Sequence, residues 1–140
     1  MRGHGYIIGD HPSDLELIAR GRPLKELFSE AGRGLIEFSG PPPGSGPPFS
    51  RSVNLTAADR EELLVLWLNE IIYLLETGFR PSLPLAVERL SGRSLNTHLE
   101  GRRLDPRSPF SGPEVKAATY HQLSIRRAGK LWEARVILDL

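Results

Sequence analysis

Hydrophobic and polar positions alternate in several stretches of this chain and recur at helical spacing in others. Leu15, Leu17 and Ala19 alternate with Glu16, Ile18 and Arg20, the period of a strand with one buried face, and Gly21 ends it. Tyr6-Ile7-Ile8 predicts a shorter strand before it. Pro23 suits the first position of a helix, and Leu24, Leu27, Phe28, Ala31 and Leu35 continue at helical spacing, predicting an amphipathic helix over residues 23–37. Across residues 63–75 nearly every position is apolar, with Trp67 at the centre, which predicts a helix buried on almost all sides. Thr56 and Asp59 mark its start, and Gly78 falls where a C-terminal cap belongs. The run is too short for a membrane span and contains Asn69 and Glu70. Alternating segments at 83–90 and 94–99, joined by Ser91-Gly92-Arg93, predict a hairpin; a second spans 123–126 and 131–138 around Ala128-Gly129-Lys130. In its last segment Trp132, Ala134, Val136 and Leu138 share one face. The expected class is α+β: one compact domain over residues 1–140, with antiparallel sheet packed on two main helices.

Residues 40–50, Gly-Pro-Pro-Pro-Gly-Ser-Gly-Pro-Pro-Phe-Ser, predict a stiff surface loop, because proline removes backbone donors and glycine raises the entropy cost of order. A second loop is expected over 105–113. The length of 140 residues suits one domain with its own core. The absence of cysteine excludes disulfides and thiolate metal sites; with no secretory signal at the N-terminus, a cytoplasmic protein is expected. A net charge of +1 gives no nucleic-acid footprint for the molecule as a whole, although arginine dominates its cations.

The chain lacks a phosphate-binding Gly-Lys-Ser/Thr loop, a Gly-x-Ser-x-Gly elbow, a His-Glu-x-x-His helix and a dinucleotide fingerprint, so independent catalysis is not expected. A cation site is suggested at one place, where the Asp139 carboxylate and the Leu140 oxygens bring negative charge together. On local pattern alone Asp14 reads as a turn or cap residue. His11 and His121 admit zinc or acid-base roles, but without cysteine or His-x-x-x-His spacing, backbone hydrogen bonding near turns is the stronger reading. Lys116 lies in a polar run with Thr119, Tyr120 and His121, dense enough for a contact surface.

Three motifs carry a resemblance. Glu114-Val115-Lys116-Ala117-Ala118-Thr119-Tyr120-His121-Gln122-Leu123, followed by a strand ending in Asp139-Leu140, resembles the archease signature. Asp10-His11-Pro12-Ser13-Asp14 resembles that family's acidic-His-Thr-Ala-Asp marker, with Pro12-Ser13 replacing Thr-Ala. Asp59-Arg60-Glu61-Glu62-Leu63-Leu64 is similar to the start of an archease helix. Where family members carry an acidic polar segment, this chain has its proline-rich loop.

The resemblance implies a non-catalytic accessory of the RtcB-type tRNA-splicing ligase, promoting its guanylylation and repeated turnover. It implies RNA contact only through the ligase, no membrane partner, and calcium (or another divalent cation such as magnesium) on Asp14, Asp139 and Leu140. His11, Lys116, Tyr120 and His121 are then candidate partner contacts. A metal-binding chaperone or RNA-binding module acting on tRNA-modification enzymes is the alternative, and a hydrolase using Asp14, Asp139 and His121 a third.

Overall fold

The computed structural model describes residues 3–10, 14–39, 46–104 and 113–140. In chain order the elements are β1 (Gly5–Asp10), β2 (Asp14–Gly21), α1 (Leu24–Ser39), β3 (Pro48–Thr56), α2 (Arg60–Glu76), β4 (Phe79–Pro81), β5 (Arg89–Leu90), β6 (Ser94–Arg103), β7 (Ala117–Ala118), β8 (Ser124–Ala128) and β9 (Leu131–Asp139). All strand pairs are antiparallel. The strands form two sheets, one ordered β1-β2-β9-β7 with β8 also on β9, the other β3-β6-β4 with β5 also on β6. The expected α+β architecture with two helices is thus present, its strands divided between two sheets.

Helix α2 sets the interior. It touches β7 and β8 of the first sheet, β3, β4 and β6 of the second, and α1, so nearly every side of it meets protein. Leu63, Leu64, Val65, Trp67, Leu68, Ile71, Ile72 and Leu74 are buried, and beyond the polar first turn of Arg60, Glu61 and Glu62 the polar or exposed residues fall on a stripe containing Asn69, Glu70, Tyr73 and Glu76. The Trp67 indole donates to the Phe28 carbonyl at 2.9 Å, which satisfies its one polar atom in the core. Gly32 lets α1 approach: a Cβ there would stand 2.5 Å from Leu85 and 3.0 Å from Ile71. Among the described residues no helix is long and apolar enough to cross a membrane.

Several boundaries differ from expectation for local reasons. Residues 48–50, expected in the loop, begin β3, which runs to Thr56 and pairs with β6 from Pro48↔Arg102 to Thr56↔Ser94. The strand lies at the edge of its sheet, where proline's missing donor costs no ladder bond. Arg51 interrupts its inward apolar pattern and instead pairs with Glu70 at 3.1 Å on the wet stripe of α2. Residues 40–45 of the expected loop and residues 105–112 of the second lie outside the described residues, while Gly46 and Pro47 are irregular and lead into β3. Thr56 therefore ends a strand and does not cap α2. Asp59 is the cap, accepting from the Glu62 amide at 2.9 Å, while the Glu62 carboxylate accepts from Ala58 at 3.1 Å. Gly78 fulfils its expected role just past the helix, at φ +85°. The first hairpin is shorter than expected, since only Arg89 and Leu90 pair with β6. The second closes as expected over a tight turn at Gly129 and Lys130, with Gly129 at φ +67°.

Candidate functional site

Strands β2 and β9 pair without interruption from Asp14↔Asp139 to Gly21↔Trp132. Residues directly opposite in an antiparallel pair share a face, which sorts this ladder into two sides. On the inner side Leu15↔Leu138, Leu17↔Val136 and Ala19↔Ala134 are buried against the helices. The outer side carries charge. Arg20 Nε meets Glu133 at 2.7 Å, and Arg135 lies 3.5 Å from both Glu133 and Glu16. At the end of the same side the pattern changes, because two carboxylate residues, Asp14 and Asp139, stand directly opposite each other.

The segment after Pro113 builds a border along this corner. Ala117 pairs with Asp139 and Ala118 with Leu138, while the Lys116 amide donates to the Asp139 carbonyl at 2.8 Å. Thr119 donates twice to the Ile137 carbonyl, from its amide at 3.0 Å and its hydroxyl at 2.9 Å. From the other side Asn69 of α2 clamps Ala118, accepting from its amide at 2.8 Å and donating to its carbonyl at 3.4 Å. The edge then leaves β9 and returns at Ser124↔Arg135, so Tyr120, His121 and Gln122 project as a turn. Gln122 adopts φ 53°, a left-handed conformation uncommon for a residue with a side chain. Tyr120 is 57% exposed.

Of the residues singled out from sequence, Asp14 and Asp139 are thus brought together from opposite ends of the chain, Asp14 partly buried and Asp139 exposed, and Leu140 follows directly, exposed. Lys116 touches the corner through its backbone while its side chain is exposed. Tyr120 and His121 occupy the projecting turn, where the His121 amide donates to Thr119 Oγ1 at 3.3 Å. His11 lies outside the described residues, as do Pro12 and Ser13. Sequence pattern gave no role to Asn69 beyond opposing a membrane span, nor to the Glu16–Arg135 contact. An amide-bearing residue within an apolar helix was the available signal for Asn69: a part-buried polar group needs partners, and here it finds both on the backbone of one residue.

The donor set suits a hard cation. Two carboxylates in direct register, beside the main-chain oxygen of Leu140, supply only oxygen ligands. Two like charges placed opposite on a sheet repel, and a divalent ion offsets that repulsion. Among the described residues no group of three or more acidic, histidine or cysteine side chains gathers at this corner or elsewhere, so the two carboxylates and the main-chain oxygen are the whole donor set among them.

The model of the archease protein family matches residues 6–140. The chain belongs to the archease family. The archease of Methanosarcina acetivorans is 30% identical over 99% of this chain and 98% of its own length, that of Methanosarcina barkeri 31% over the same shares, and that of Pyrobaculum neutrophilum 30% over 96% and 95%. Among solved structures, protein 1598 of Methanobacterium thermoautotrophicum superposes with a TM-score of 0.70 at 27% identity, covering the whole of both chains. A Thermotoga maritima crystal structure, described as an archease and possible chaperone, gives 0.68 at 24% identity over 94% of each. The archease fold is therefore the fold of this chain.

Proposed function

We propose that this protein is a non-catalytic accessory of an RtcB-type RNA ligase, promoting its guanylylation and repeated turnover in tRNA splicing. Family membership supports the reading, and the direct pairing of Asp14 with Asp139 is the structural observation that carries it. Asp14, Asp139 and the Leu140 oxygen would hold calcium, or magnesium in its place, and the ion would neutralise the corner and supply a cationic centre to a partner site. The protein's own residues do the rest. Asn69 and Thr119 fix the border strand, so that the corner and the projecting Tyr120–His121 turn keep one relative placement. A preformed surface of this kind acts by binding one state of its partner better than another, since a partner shifts an equilibrium only by its difference in affinity for the two states.

The test is RNA joining by the ligase of the same organism, with this protein at a small fraction of the ligase concentration. Many rounds of joining with it, against stalling after few without it, is the expected result. Unchanged extent and turnover would refute the accessory role while leaving the family assignment intact.

A further inference from the structure

At the end of β9 opposite the paired carboxylates, cations gather around one indole. Trp132 stands opposite Gly21 on β2 and Arg127 on β8. The Arg127 guanidinium lies 5.2 Å from the ring centroid, and that of Arg60, from the first turn of α2, 4.6 Å. Each contact holds a guanidinium by attraction to the ring's face, yet two cations on one ring repel each other. Among the described residues the carboxylate within 4 Å of either is Glu61, 3.8 Å from Arg60. Lys130 at the turn of the same hairpin is exposed and has no carboxylate in that range among the described residues, whereas Arg126 lies on the other face of the sheet. Glu133, opposite Arg126, is already engaged by Arg20 and Arg135. Arg93 extends the group, because its carbonyl accepts from the Ala57 amide at 2.8 Å and so places its turn beside the start of α2. The nearby acids Asp59 and Glu62 are used in capping that helix.

We propose that this end of the molecule binds single-stranded nucleic acid. Phosphates fit the guanidinium forks of Arg127 and Arg93 and the ammonium of Lys130. An unstacked base fits the planar group formed by Arg60, Trp132 and Arg127, because aromatic rings and guanidinium planes both accept base stacking. An acidic peptide would use the charge but not the planar surface, which favours nucleic acid over protein. A duplex keeps its base faces stacked, which favours a single strand. Seven residue steps along β9 separate Trp132 from Asp139, about 23 Å at strand spacing. The two ends are thus far enough apart for a strand to be held at one while the other meets a partner protein. The inference is independent of the ligase reading, because binding is measured with this protein alone.

The test is fluorescence anisotropy with labelled RNA and DNA strands of about 12 nucleotides, at about 50 and 200 mM salt, with polyglutamate as competitor. Binding that falls steeply with salt is expected, with Arg127→Glu weakening it by about tenfold or more and Arg102→Gln, at the far end of β6, leaving it unchanged. The strand should quench tryptophan emission, and Trp132→Phe should abolish the quench because Trp67 is fully buried. If circular dichroism shows that Arg127→Glu does not fold, Arg60→Gln serves as the second variant. Absence of binding to either strand, equal affinity of the folded variant and the parent, or displacement by polyglutamate as effective as by unlabelled strand would each overturn the proposal.

Discussion

The middle and the end of the β2–β9 ladder use one backbone arrangement for opposite electrostatic purposes. Over residues 16–20 and 133–135, acids meet arginines at 2.7 to 3.5 Å, and the outer face neutralises itself. At Asp14↔Asp139 the same ladder sets acid against acid. Opposite charges across a sheet are a stability device, and like charges are a cost unless something outside the fold offsets them. On the proposed function, the contrast separates the part of the face that serves the fold from the part that would meet a cation and a partner.

The largest effect comes from the core, where α1 packs on β2 and β9 and α2 packs on α1 and on β7 and β8 at the ladder's border. Trp67 is fully buried in a helix that packs on both sheets, and Trp67→Ala is expected to cost about 3–5 kcal/mol, read as a lowered denaturation midpoint. A midpoint equal to the parent's would show that α2 is not central to the core. A smaller loss should follow in the neutralised region. Glu133 is held by Arg20 and Arg135 with its side chain 13% exposed, so Glu133→Gln should destabilise by about 1 kcal/mol, less at high salt. The smallest effect should have the opposite sign. With chelator present, Asp139→Asn should match or exceed the parent's stability by about 0.2–0.5 kcal/mol, because it removes one of two facing charges. A clear loss under those conditions would make Asp139 a fold residue like Glu133.

Much of this arrangement was legible in the sequence where burial is one-sided. Leu15, Leu17 and Ala19 on β2 and Ala134, Val136 and Leu138 on β9 alternate because one face meets the helices, and that period survives in the primary structure. Strand β3 was hidden because Pro48 and an inward Arg51 break the pattern, and both are tolerated only by its edge position and by Glu70 on another element. The ends of the candidate corner could be named from a family resemblance, but no local period could reveal that Asp14 faces Asp139 across more than a hundred residues. That depends on the register of a long-range ladder, set by burial along its whole inner face. The Asn69 clamp was unreadable for the same reason: its partner, Ala118, lies 49 positions away.

The central claim is that the like-charged end of the ladder holds a divalent cation, and calcium titration calorimetry on the parent and on Asp139→Ala tests it most directly. The parent should bind calcium, and the variant, with its fold verified by circular dichroism, should bind it far more weakly. Equal calcium affinity in the two proteins would contradict the account.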